Sequence, residues 1–483
     1  MNALKRTTLT LSKKENAETD IGSISDDRPV VLDFIEVLLP CRKFSISYKV
    51  SEKGAVSLTS EFVLRLLYSV DGMDEVAIAS FFGFDNRELT FVMTEVISRD
   101  YVSRHNGRAW LTETGRLLFT ENDLTPQILK VEKKTRKVGF DLLSLSPQES
   151  EKLSRFALKL PELPIQDVEF YANASKYIPK SFQKHFSEIV WTKVGADKQG
   201  VLYSVDAVYA DNKFSAIVPI LISSSQGRPS SAEPNLTNWK TGHELDDRSK
   251  VIEAISKHIH ELEVSKRPDD AYSYKKMVEL APEFFEDFLR KDGLSIERYF
   301  KAARTRVGDL RSDRQTVPLI GTLFTPDNNA RLTSAIDYGL KSIGSSISPN
   351  TLFWVIPDVS WGNTQALPYT LDLIKEKILK STTSTLTELS EEKNTGFECI
   401  ALTKTFDRRS NIGNAFSRQN QFNEHLSLPP SLEILYIPNI LVACLVHAPL
   451  MVNQGFPVPL GFLSFDQNVI GRTSVIIDEL IQR

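Results

Sequence analysis

Cysteine is scarce. Cys41, Cys399 and Cys444 are spread over 483 residues with no paired spacing. That excludes a disulfide framework and a cysteine-based zinc site, and it fits a reducing compartment, so a cytoplasmic location is expected. Long apolar runs are missing too: none approaches the roughly 18 residues of a membrane-spanning helix, so no membrane contact is expected. Residues 1–28 mix Ser, Thr, Lys and acidic residues without the apolar core of a signal peptide, and read as a disordered tail. Positive charge is not in excess, since 58 Lys and Arg face 62 Asp and Glu for a net of −4, so any nucleic-acid contact must be local. The common catalytic signatures are also lacking: no Gly-x-x-x-x-Gly-Lys-Ser/Thr loop, no Gly-x-Gly-x-x-Gly after a strand, no His-Glu-x-x-His and no Gly-x-Ser-x-Gly. Nucleotide hydrolysis, dinucleotide chemistry and the common hydrolase mechanisms have no visible support, and no cofactor is expected. His258 and His260 stand two apart, leave different sides of a helix and make a poor metal pair, so no metal site is expected.

What is present is a chain of ordinary globular composition, 41% hydrophobic and 25% charged, long enough for two to four domains. The most informative stretch is 59–120. Phe62, Val63, Leu66, Leu67 and Val70 recur with helical spacing over Ser60–Val70, and Met73–Phe82 reads as a second short helix ended by Gly83. Asp85 or Asn86 caps a third helix that buries Leu89, Val92, Met93, Val96 and Ile97. Asn106-Gly107 then joins two short strands, because both positions tolerate positive φ. Three short helices and a hairpin in that order resemble a winged helix, and the segment 111–119 is similar to the one that succeeds the wing in many bacterial winged-helix proteins.

The resemblance implies contact with DNA or with a protein. For DNA, Arg104, His105 and Arg108 flank the wing turn, and Arg87, Thr90 and Thr94 point outward from the third helix. Against it, residues 55–121 hold six arginines, no lysine and ten acidic residues, a net of −4. A protein-contact winged helix is the equal alternative.

Elsewhere the pattern predicts an apolar segment at 30–40 packed on the winged helix and a strand at 44–50. The basic run 130–137 reads as a solvated edge strand. A hairpin of 201–210 and 214–223 turns at Asp211-Asn212, and a loop is expected over 224–249. Helices are predicted at 246–263 and at 277–304 with a break at 292–293. From 315 apolar strands at 317–324, 352–357, 397–403, 432–438, 441–450 and 462–465 alternate with helices at 330–343 and 370–379, which argues for a covered sheet. Asp358, Ser360, Trp361 and Asn363 come just after a buried strand, where open α/β sheets often line a binding crevice; Trp361 suits either base stacking or the core.

Over 432–466, His447 and Gly461 fall where the phospholipase D family places the histidine and glycine of its His-x-Lys, Asp, Gly-Ser-x-Asn motif. The lysine position is Pro449, the aspartate Gln454, the serine Phe462 and the asparagine Ser464. The layout resembles a degenerate C-terminal half-domain of that family. It implies His447 as the weak candidate for catalysis, with no local cation to stabilise a phosphoryl group. Two basic clusters suit phosphate contact: Lys301, Arg304, Arg306, Arg311 and Arg314, and Lys404, Arg408, Arg409 and Arg418 around an Asn-rich loop.

The expectation is therefore a multi-domain α+β protein. It comprises a tail (1–28), a winged-helix domain (29–124), a β-rich middle domain with a helical insert (125–314) and an α/β sheet domain (315–483). The leading function is a non-catalytic, DNA-associated or scaffold subunit of a larger complex with other protein subunits. By analogy, this resembles accessory proteins of bacterial phage-defence and DNA-processing systems. The candidate nucleic-acid contacts are Arg87, Arg104, His105, Arg108, Arg304, Arg306, Arg408, Arg409 and Arg418. The alternatives are a phosphodiesterase or nuclease built on His447 and nearby arginines, and a ligand-responsive transcription regulator.

Overall fold

The computed structural model describes residues 29–53, 56–120, 124–191, 201–225, 227–240, 242–291, 293–305, 309–343, 349–383, 396–404, 412–422 and 428–481. The expected tail (1–28) lies outside them. The chain is mixed α and β, and it divides into two compact units interleaved in sequence. One comprises 1–40, 150–166 and 215–483; the other comprises 41–149 and 167–214. This division cuts across the boundaries expected at 124 and 314. Two long strands, Val30–Lys53 and Val201–Ser225, contribute residues to both.

The first unit is built on a seven-stranded sheet. Its strands run in the order Thr316–Ile320, Val458–Ser464, Leu441–Ala448, Leu432–Ile437, Thr351–Val355, Glu398–Thr403 and Arg418–Gln421. Neighbours are antiparallel except the last two pairs, which are parallel. Parallel pairing of 351–355 with 398–403 is made possible by the intervening helix Ala366–Thr383, the crossover such a pair requires. The three strands 432–437, 441–448 and 458–464 are buried along their whole length, so both faces are covered and the sequence reads as unbroken apolar runs. Helices Pro326–Ile343 and Ala366–Thr383 cover one face through Leu332, Ile336, Leu367, Leu371 and Ile374, packed on Trp354, Leu435 and Leu445. On the other, Phe285 and Tyr299 meet Phe462, and the Tyr299 hydroxyl donates to the Gly461 carbonyl. The C-terminal helix Gln467–Ile481, which the sequence pattern did not predict, packs on strands 432–437 and 441–448.

In the second unit, residues 56–120 form helices Leu58–Ser69, Glu75–Phe82 and Asn86–Ser98, then strands Val102–His105 and Arg108–Leu111. Asp85 caps the third helix and forms a reciprocal capping box with Glu88, while Gly83 ends the second at φ +70°. The expected helix at 73–82 starts two residues late. Met73–Asp74 is a strand paired with Ala109 and Arg108, giving a three-stranded sheet. Val63, Leu64, Leu67, Ile78, Val92, Met93 and Val96 fill the core. Phe62, Val70 and Ile97, expected inside, are 45%, 52% and 37% exposed.

The rest of this unit is a sheet in which the strand Leu129–Asp141 is the edge, beside Cys41–Lys53 and then 201–214. Its inner face, Phe44, Ile46, Tyr48, Val50, Val138 and Phe140, packs on Ile178, Phe182 and Phe186 of the helices Ala174–Lys184 and Phe186–Trp191.

Four expectations are corrected. Residues 30–40 join the first unit rather than the three-helix core, with Leu38 in the large sheet's cluster. Asp211-Asn212 is no turn: strand 201–225 runs straight through it. The expected loop contains the strand Arg228–Asn235 and a short helix Thr237–Lys240. The helix expected over 277–304 is instead Asp270–Leu280, Pro282–Phe285 and Ile296–Arg304, separated by a two-residue hairpin pair of strands.

Candidate functional sites

The first unit holds a buried polar cluster at one end of its sheet. Glu433 pairs in register with Leu445, and His447 lies two residues on, so both side chains leave the same face. His447 Nε2 lies 2.5 Å from Glu433 Oε2, and Trp354 Nε1 donates to Glu433 Oε1 at 2.8 Å. The main-chain N–H of His447 donates to the Ser431 carbonyl, and the Ser431 hydroxyl lies 2.6 Å from that of Ser273.

Asp33 completes the cluster. Its Oδ1 accepts from the Thr322 hydroxyl at 2.7 Å and from the Phe34 N–H at 2.8 Å. Burial pushes its carboxyl up to about 6, against the lowering pull of those two bonds and of His447. Glu36, three residues on, accepts from the Gln365 N–H at 2.5 Å, and burial raises its carboxyl too. Asp33, His447, Ser360, Trp361, Gly362 and Asn363 surround a gap of about 10 Å³, close to what one water needs. The sequence pattern places the 358–363 loop at such a crevice, and the structure brings Ser360, Trp361 and Asn363 to His447. Trp361 is buried against Trp354 and Phe324, so it caps the core and offers no face to a base.

Asp33, Glu36, Glu433 and Thr322 were missed. The signal was present: each carboxylate interrupts an apolar strand, 30–39 or 432–437, and a lone acid in a buried strand needs a partner.

The predicted phosphate ligands do not gather here. Arg418 lies on the outermost strand, four strands from that of His447, about 19 Å at the usual strand spacing, and pairs with Glu398 at 3.3 Å. Arg304 ends the helix 296–304 and is partly buried. Arg306, Arg408 and Arg409 lie outside the described residues.

In the three-helix module, four of the six arginines are tied to its own acids. Arg65 pairs with Glu61, Arg116 with Asp71, Arg99 with Glu95 at 3.9 Å and Arg104 with Glu75 at 2.5 Å. Burial opposes it, yet hydrogen bonds from Ser60 and Ser57 hold the Glu95 carboxyl below its usual range. Arg87, His105 and Arg108 are exposed. The Thr90 and Thr94 hydroxyls donate back to the Asn86 and Thr90 carbonyls, both at 2.6 Å, so their protons are not available to bases. Between them stands Phe91, 66% exposed. On the helix 75–82, Val76, Ala77, Ser80 and Phe81 share an outward face with no charge, and Val76 and Phe81 are 77% and 65% exposed.

No protein-family model, curated protein or solved structure matches this chain.

Proposed function

We propose that this chain is a non-catalytic subunit of a larger assembly, and that residues 56–120 form a winged helix that docks on a protein partner rather than on duplex DNA. One observation carries the reading. Where a duplex reader presents cations, the second and third helices present Val76, Phe81 and Phe91, while Arg104 of the wing is engaged by Glu75. The order of helix, strand, two helices and hairpin supports the winged-helix assignment. The narrow gap beside His447 supports the non-catalytic one, since it has no room for a phosphodiester.

Two measurements test this together. Duplex titration at low salt should give only weak binding that Arg87→Ala and Arg108→Ala leave within about twofold. Affinity purification from the source cells should yield a partner that Phe81→Glu with Phe91→Glu releases while the fold is retained. Salt-sensitive duplex affinity that collapses with Arg104→Ala and Arg108→Ala would overturn the docking assignment and restore DNA as the ligand of the wing.

A further inference from the structure

The first unit holds a second, larger gap that shares no residue with the one beside His447. On the helix Asp270–Leu280, Met277 and Val278 stand three and four positions after Tyr274, so the three side chains share one face. Facing them is a hairpin of the strands Leu289–Arg290 and Gly293–Leu294. Leu289 and Leu294 are paired in register, which puts both side chains on the same side of it. With Pro282 these residues border an open pocket of about 470 Å³. That volume suits one small molecule. A stable protein interface needs on the order of 1,000 Å² of buried surface, which a single helix face and a hairpin this short do not supply.

Two polar groups interrupt the apolar lining. The Tyr274 hydroxyl is buried and has no hydrogen-bond partner among the described residues. Burial raises it well above its ordinary range, so it keeps its proton and is a donor without an acceptor. Such a group is costly and rare in a native fold. Lys275 comes next, exposed and without an ion-pair partner among the described residues. Among those residues the lining holds one other charge, Glu279, and Lys276 engages it at 2.9 Å. Tyr274 and Lys275 stand about one helical turn before Val278, so the pocket has a polar end and an apolar end along the helix axis. A donor next to a cation calls for an anion with acceptor oxygens, and the apolar end calls for a chain attached to it. A neutral amphiphile would leave Lys275 without a counter-charge, and a cationic one would be repelled.

We infer that this pocket binds a small monocarboxylate with a hydrocarbon chain, the chain lying against Met277, Val278, Leu289 and Leu294 and the carboxylate meeting Tyr274 and Lys275. The site uses no residue of 56–120, so it stands whether or not the docking proposal does.

The test is isothermal titration calorimetry of the full chain with decanoate, decanol and decyltrimethylammonium at about 150 mM salt. A short leucine-rich peptide with a free C-terminal carboxylate serves as competitor. Decanoate should bind saturably and more tightly than the other two amphiphiles, and the peptide should compete poorly. Tyr274→Phe removes only the hydroxyl and should weaken decanoate about tenfold while leaving decyltrimethylammonium unchanged. Lys275→Ala should weaken decanoate roughly three- to fivefold and should not weaken decyltrimethylammonium. Leu289→Glu puts a charge in the wall and should lower decanoate affinity by more than about tenfold. Leu289 is 42% exposed and Lys275 is on the surface, so these variants should keep the parent's circular dichroism and melting. Should Leu289→Glu unfold, the other two variants still decide the matter. No saturable decanoate binding, equal affinity for all three amphiphiles, parental affinity in Tyr274→Phe and Lys275→Ala, or stronger competition by the peptide overturns the assignment. Phe81→Glu with Phe91→Glu should leave decanoate binding intact, which separates this site from the docking face.

Discussion

Asp33 is an acid kept out of water with two hydrogen bonds in compensation, and its free energy depends on pH with a definite sign. Folding raises its carboxyl from 3.8 to about 6. Between those values the folded state holds a proton that the unfolded state has lost, so this contribution to stability is complete below about pH 4 and disappears as pH rises through 6. Asp33→Asn retains an acceptor for Thr322 and cannot ionise. Its stability relative to the parent should increase by roughly 2–3 kcal/mol from about pH 4 to pH 7 in urea unfolding; a difference that stays flat would show that the buried charge costs nothing. His447 and Glu433, which face Asp33 with opposing effects, are shared by both proteins. The imidazole–carboxylate pair makes a second prediction. Removing either partner strands the other in a site less than 5% exposed, so His447→Leu and Glu433→Leu should each cost about 3–5 kcal/mol. The double variant should cost less than the sum of the two, read as a coupling energy in a double-mutant cycle. Additive losses would mean that the two groups do not depend on each other.

At the level of single elements, Gly461 shows how packing can mimic a motif. Its sequence position matches a glycine of a catalytic signature, but the structure gives it another reason: a Cβ there would lie 1.8 Å from the Cys444 carbonyl oxygen on the neighbouring strand. Gly461→Ala should therefore destabilise the first unit by about 3 kcal/mol, measured by thermal or urea unfolding; a loss below 0.5 kcal/mol would contradict the tight fit. The same contrast decides what was legible in advance. The helices of 58–98 and their caps were readable because an isolated amphipathic helix writes its buried stripe into the local sequence. Strand Met73–Asp74 was not, since only Ala109 and Arg108, far along the chain, hold it in place. Asp211-Asn212 reads as a turn, yet the chain continues, because the Arg42 guanidinium on the adjacent strand donates to the Asp211 carbonyl and the side chain of Lys137, one strand further, pairs with its carboxylate. Polar residues on the open face of a sheet carry the same local signal as a loop.

Taken whole, the molecule differs from a string of successive domains. Segments 30–40 and 150–166 complete a unit whose sheet lies entirely within 316–464. Leu38 exchanges backbone hydrogen bonds with 161–163, and Glu36 anchors Gln365. Pattern reading assigns a segment to its sequence neighbours, so it placed 30–40 with the three-helix module. A chain beginning at residue 41 should accordingly show faster amide exchange in 316–322 and 358–365 while 58–98 keeps its protection. Equal protection in both regions would refute the assignment of this strand.

That arrangement fixes an order of events at the ribosome. The strand bearing Leu32, Val37 and Leu39 is made well ahead of its partners: Thr322, which bonds Asp33, lies 289 positions after it, and Gln365, which bonds Glu36, lies 329 positions after it. At 5–20 residues per second, synthesis of the missing portion takes roughly 15–60 s. During that interval an apolar strand with two carboxylates waits for the surface that will bury it.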